Sequence, residues 1–276
     1  MRSPGPVGRG FAGANQLVLN LWSSRGLALN FFQREISGRY VGSVSGIFWI
    51  LIQPLALLGI YTIVFTSIFR VELPGMGPGG FVAFVALALW PWLAFQEGVS
   101  RGAMAIQANA GLVKKVAFPN ELLVHGAVAA TYAVHGIGFL AALLVIALAG
   151  QSLHFEALPL VAIFLVLQLL FTTGLALLLS ALQVMLKDVE HFLSPFLMIW
   201  FYATPVLYSA TMVPSQLQQV MTLNPMAYSV GRIRDLMLQG GGPLWSDAAY
   251  LLGVTLIFVL GSLFFHRLSP HFEDFL

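Results

Sequence analysis

The sequence predicts an all-α membrane protein of six transmembrane helices, with an N-terminal amphipathic interface helix before the first and a re-entrant helical hairpin between spans five and six. Three observations lead there. Of 276 residues, 58% are hydrophobic and 9% charged, against roughly 45–50% and about 25% in soluble domains, and the mean hydropathy is +0.86. Long stretches lack Asp, Glu, Lys and Arg altogether; about 20 apolar residues in helix cross a hydrocarbon core about 30 Å thick while satisfying their own backbone groups. The longest uncharged stretch is broken by three prolines, Pro205, Pro214 and Pro225, which end helices rather than continue them.

The elements follow in order. Residues 1–25, with RSPGPVGRG, hold no apolar run long enough for a cleaved leader, and are expected to be a flexible extension. In 26–42, Leu29, Phe32, Ile36 and Tyr40 are spaced 3, 4 and 4, while Arg34, Glu35 and Arg39 lie off that stripe. This spacing predicts a helix lying in the membrane interface, with Gly38 and Gly42 as points where the chain turns into the first span. Spans are expected at about 44–69, 81–99, 124–149, 158–183, 193–209 and 248–265. The region 210–243 stays apolar but is broken into short pieces, so it is expected to dip into the membrane and return, which requires cover by protein or a water-filled cavity. Packing as an ordinary loop is the alternative.

Basic residues set the orientation, because Lys and Arg are retained in the cytoplasm. Arg2, Arg9, Arg25, Arg34, Arg39, Arg101, Lys114, Lys115, Lys187 and Arg267 fall on one side; Arg70, Arg232 and Arg234 fall on the other. Both termini are therefore expected in the cytoplasm.

Several chemistries find no residues to stand on. Cysteine is absent, and the histidines show no metal-ligand spacing, so no metal site is expected. PGMGPGG at 74–80 lacks the lysine and hydroxyl of a phosphate-binding loop. No carboxylate pair or HExxH motif supports an enzyme, and nothing points to nucleic acid. Ion-driven carriers place charge within their spans; here His135 is the clear exception, better read as a neutral helix contact than as a proton relay. Glu97 and Arg101, four apart, can pair along one helix face.

Two features remain. Aromatics gather at span ends, which interfacial anchoring explains; a minority could instead stack on sugar rings along a passage, with Tyr61, Trp92, Trp200, Tyr202 and Tyr208 as candidates. The loop NAGLVKKVAFPNELL, within 104–121, begins with Asn109 as a fair N-cap and is stopped by Pro119. It predicts a short docking helix, with Leu112, Val113 and Val116 available to enter a groove and Lys114 and Lys115 to meet lipid headgroups or an acidic partner.

From about residue 29 onward, QREISGRYVGSVSGIFWILIQPLALLGIYTIVF, ALWPWLAFQEGVS, NAGLVKKVAFPNELL, LKDVEHFLSPFLMIWFYATPVLYS, LNPMAYSV and the terminal FEDFL occur in one order. Together they resemble the permease subunit of type-2 ABC exporters for surface polysaccharide, closest to the O-antigen and lipopolysaccharide exporters. The resemblance implies a transmembrane domain over 43–270, a homodimer of this chain, and two copies of a separate ABC ATPase. ATP and Mg would be held by that partner, and no cofactor by this chain. It implies a coupling surface at Glu35, Arg39, Leu112, Val113, Lys114, Lys115, Val116, Lys187 and Asp188, and an outer gate at Pro205, Pro214, Pro225 and Tyr228. The substrate would be a polyprenyl-diphosphate-linked polysaccharide crossing the bacterial inner membrane. Capsule or teichoic acid export by the same architecture, and type-2 export of a drug or small lipid, are the alternatives.

Overall fold

A computed structural model of the chain describes residues 25–39, 48–70 and 79–276. Residues 1–24 of the extension expected over 1–25, the stripe residue Tyr40, the turning point Gly42, the start of the first span at 44–47 and most of the glycine-rich turn at 74–80 lie outside the described residues. Every described element is helical: α1 Arg25–Gly38, α2 Trp49–Thr62 continued by a π-helical segment Ile63–Ile68, α3 Gly80–Ala108, α4 Ala110–Val113, α5 Glu121–Leu148, α6 Leu158–Met185, α7 Val189–Ala203, α8 Ser215–Met221, α9 Pro225–Leu238, α10 Trp245–Leu268 and α11 Phe272–Phe275.

Among the described residues, five helices are long and apolar enough to cross a membrane: Leu51–Ile68, Gly80–Ala108, Glu121–Leu148, Phe155–Met185 and Trp245–Phe275. The expected fifth span at 193–209 differs. Its helix starts earlier, at Val189, and stops at Ala203 after 15 residues, about 22 Å at 1.5 Å per residue. Pro205 is the reason: a residue before proline is pushed out of the helical region, and Thr204 is extended at φ −105°, ψ 131°. The expected second span also runs further than 99, to Ala108.

The core is built by α3, α5 and α6, with α10 packed on α6 and α9 lying against α3 and α6. Glycines permit the closest crossing. A Cβ on Gly261 of α10 would overlap the Gly174 carbonyl oxygen of α6, and a Cβ on Gly174 would lie 2.6 Å from the Phe258 Cα. Two backbones therefore touch, the arrangement small residues allow between membrane helices. Gln168, buried on α6, donates to the Pro91 carbonyl of α3 at 2.6 Å and accepts from Ser229 of α9 at 3.2 Å, so one amide joins three helices.

The buried side chains form two clusters. One includes Phe81–Trp92 positions of α3, Phe139, Phe164, Phe171 and the α9 residues Val230, Ile233 and Met237. The other gathers Phe31, Ile106, Val113, Leu122, Val184, Phe265 and Phe272, at the end of the bundle that carries Lys114, Lys115, Lys187 and Arg267, here called the basic end.

α1 packs on α5 at this end. Phe31 seats against Gly126, where a Cβ would stand 3.2 Å from the Phe31 Cβ. Of the expected apolar stripe, Leu29 is 54% exposed while Phe32 and Ile36 are half-buried. The missing side chain at Gly126 leaves the space that Phe31 fills, so packing selects the neighbouring edge of the helix.

Candidate functional site

Three elements converge on one carboxylate toward the basic end. Glu97 on α3 accepts from Arg101 Nε, one turn along the same face, at 2.5 Å. Arg39, just beyond α1, donates through Nη1 to the same Glu97 oxygen at 3.1 Å and through Nη2 to Thr131 Oγ1 of α5. His135, one turn past Thr131, donates through Nε2 to the other Glu97 oxygen at 2.7 Å. The Arg39 side chain is only 5% exposed, and a cation removed from water is costly unless a counter-charge and hydrogen bonds meet it. Glu97 and Thr131 meet it. A cavity of about 580 Å³ opens beside this cluster, lined by Arg39, Arg101, Glu97 and Gln96 and by the apolar Trp49, Leu57 and Leu93.

The loop after α3 departs from the expected capping. Asn109 stands at the N-cap position of α4, but its side chain does not bond the helix start; its Nδ2 donates to the Ala105 carbonyl at 2.8 Å, and its Oδ1 accepts from Arg34. It therefore closes α3 and latches α1 to the loop, a latch reinforced by the Phe31 and Phe118 rings 5.5 Å apart. Val113, expected to be available for docking, is 3% exposed and belongs to this chain's own cluster with Phe31 and Ile106. Leu112 is half-buried, while Lys114, Lys115 and Val116 face outward. Arg39 likewise points into the chain, whereas Glu35 is half-buried on α1.

Lys187 and Asp188 are exposed on the link from α6 to α7, and no ion pair between them occurs among the described residues. Beneath them sits Gln183, 1% exposed. Its amide donates to Gln107 of α3 at 2.7 Å and accepts from the Glu190 backbone N–H at 2.9 Å. The two loops of the basic end are thus tied together through one pair of glutamine side chains.

At the opposite end, Arg234 of α9 is buried and donates to the carbonyls of Phe84, at 2.7 Å, and of Pro205 and Val206. Its guanidinium stacks 3.5 Å over the Phe84 ring. It holds the turns after α7 against the start of α3. Asn224 performs the companion task. Its Oδ1 accepts from Met226 N–H at 3.0 Å and from Trp200 Nε1 at 2.9 Å, while Nδ2 donates to the Ala203 carbonyl at 3.1 Å. Arg232 pairs with Asp247 of α10 at 2.9 Å, and the Tyr228 hydroxyl donates to the same carboxylate at 2.5 Å. Of the expected gate residues, Pro205 and Tyr228 belong to these contacts, Pro225 opens α9, and Pro214 is exposed ahead of α8. A cavity of about 1200 Å³ lies between this region and α10.

The candidate passage aromatics are placed unequally. Trp92 has 0% exposure and donates to Gln96 Oε1 at 2.8 Å. Trp200 is half-buried, edge-on to Phe95 at 5.0 Å; Tyr61 stacks near Phe201 at 6.3 Å; Tyr202 is exposed, and the half-buried Tyr208 donates to its carbonyl at 2.6 Å. Trp92 is thus the one of the five that is fully buried.

Sequence reasoning found the Glu97–Arg101 pair but missed that Arg39 and His135 join it, and missed Gln183, Asn224 and Arg234. A signal existed for two: His135 within a span and Arg234 in an apolar region are ionisable groups where such groups need partners.

Residues 28–238 match the family described as ABC-2 type transporter. The O-antigen export system permease protein RfbA of Myxococcus xanthus is 32% identical over 268 residues, covering 94% of this chain and 99% of that protein. A protein of the same name from Klebsiella pneumoniae is 29% identical over 251 residues, covering 88% of this chain and 92% of that protein.

Proposed function

This chain belongs to the ABC-2 type transporter family, and from that premise we propose that it is the membrane-spanning subunit of an ATP-driven exporter. Its substrate is a polyprenyl-diphosphate-linked polysaccharide of O-antigen type, carried from the cytoplasmic side across the bacterial inner membrane. Two copies of the chain work with two copies of a separate ABC ATPase, which holds ATP and Mg. The observation that carries this reading is the end-to-end similarity to proteins named as O-antigen export permeases.

The geometry supports the details. The basic end is cytoplasmic, as its lysines and arginines favour, and α1 lies along that interface. The coupling surface comprises Glu35, Lys114, Lys115, Val116, Lys187 and Asp188, with Leu112, Val113 and Arg39 as its internal support. The fifth span is α7 together with the turns that follow it at Thr204. The region 210–243 is re-entrant and forms the outer gate, clamped through Arg234 and Asn224. Tyr61, Trp200, Tyr202 and Tyr208 offer aromatic faces and hydroxyls to sugar rings.

The test is complementation. Cells lacking the gene are expected to retain the lipid-linked glycan on the cytoplasmic face, and the intact gene to restore surface display. The variant carrying Lys114→Glu and Lys115→Glu should insert into the membrane normally yet restore little display, because the reversed charge opposes the ATPase contact. Normal surface glycan without the gene overturns the reading, and full restoration by the variant overturns the assigned coupling surface.

A further inference from the structure

We propose that the cavity beside Glu97 binds the phosphate-bearing headgroup of a membrane lipid, with Arg101 as its principal contact. The argument begins with a surplus cation. Glu97 already receives Arg39 on one oxygen and His135 on the other, so the carboxylate is satisfied on both sides without Arg101. A guanidinium carries five N–H donors in a planar fork. Among the described residues Arg101 uses only Nε, toward Glu97, and it lines the cavity. Its two terminal nitrogens remain available for the bidentate geometry that matches a phosphate.

Depth agrees with a headgroup. From Gly80 to Arg101 α3 runs 21 residues, about 31 Å at 1.5 Å per residue, close to the roughly 30 Å thickness of a hydrocarbon core. Arg101 therefore reaches one membrane surface while α3 starts at the other. The cavity is also lined by the apolar side chains of Trp49, Pro54, Leu57 and Leu93. Trp49 is at the first turn of α2 and exposed, the position in which tryptophan marks the interface. A ligand with an anionic head and a hydrocarbon chain uses both the basic and the apolar lining; a free phosphate would leave the apolar lining unused. The chemistry is shared by a polyprenyl diphosphate and by an anionic phospholipid.

Native mass spectrometry of the full chain, purified in the assembly it forms in its membrane, distinguishes these sources. The probes are polyprenyl diphosphate, phosphatidylglycerol and uncharged polyprenol. At least one phosphate-bearing probe is expected to bind saturably, and polyprenol is not. Tighter binding of polyprenyl diphosphate identifies a carrier lipid as the occupant; equal binding of phosphatidylglycerol identifies bulk lipid. Arg101→Gln should weaken binding by about tenfold or more, the scale of one lost hydrogen bond between charged groups, and Arg101→Lys should recover part of it. Arg267→Gln, an exposed change elsewhere at the basic end, should bind as the unsubstituted chain does. Unchanged binding in Arg101→Gln, or polyprenol binding as tightly as the diphosphate, overturns the proposal. Neither outcome depends on whether the chain exports glycan, so the two readings fail separately.

Discussion

Glu97 binds together segments that are far apart in sequence, since its partners stand at positions 39, 101 and 135. Without it, the buried Arg39 guanidinium would keep only Thr131 among its partners identified above, in surroundings where an uncompensated charge is expensive. Replacing Glu97 by Gln keeps the shape and removes the charge. The expected cost is about 1–3 kcal/mol, read as a lower thermal midpoint of the purified protein, and an unchanged midpoint would contradict the role given to the carboxylate. The i, i+4 spacing made the Arg101 contact legible in the sequence. The Arg39 contact was not legible, because one sequence carries no distance between positions 58 residues apart; periodicity placed Arg39 off the α1 stripe without saying what it faced. Asn109 was misread for a related reason: the residue type that caps a helix start can equally bond back to a carbonyl one turn earlier, as it does with Ala105.

Helices were the most legible elements, since uncharged stretches of 20 residues or more have one solution in lipid. Spans expected at about 124–149 and 158–183 are found as Glu121–Leu148 and Leu158–Met185. The α7 region was less legible because its end depends on partners beyond the helix: Pro205 stops it, and Arg234 and Asn224, some 20 to 30 residues later, hold its last turn and the turns that follow. The α6–α10 crossing could not be read from sequence either, as glycines such as Gly59, Gly136 and Gly253 also stand in apolar helices and mark no contact. Gly174→Leu tests it. The side chain would collide with the Phe258 backbone, forcing the two helices apart at a cost of about 1–3 kcal/mol or more. Reduced yield and a lower thermal midpoint are expected, with Gly253→Leu, where a Cβ meets nothing within 4 Å, as the tolerated comparison. Equal stability of the two variants would refute the close crossing.

At the scale of the molecule, composition was enough to assign a multi-pass membrane protein, and the order of short motifs was enough to suggest its family. What composition could not supply is the assembly. α2 buries little against the rest of the chain, with Ile52, Leu55, Ile60 and Ile63 exposed, and α7 turns Phe192, Met198, Ile199 and Tyr202 outward. Such faces are natural against lipid, and in the proposed exporter parts of them also serve the second copy of this chain. In the proposed exporter the energy for transport comes from the partner ATPase, where an ion-coupled carrier would use charges arranged along its spans. The most direct measurement is transport in reconstituted vesicles containing this chain, the ABC ATPase and a labelled polyprenyl-diphosphate-linked glycan. The account predicts that glycan crosses the bilayer only when ATP, the ATPase and this chain are all present. Glycan movement without ATP, or ATP hydrolysis by the assembled complex with no glycan moved, would contradict it.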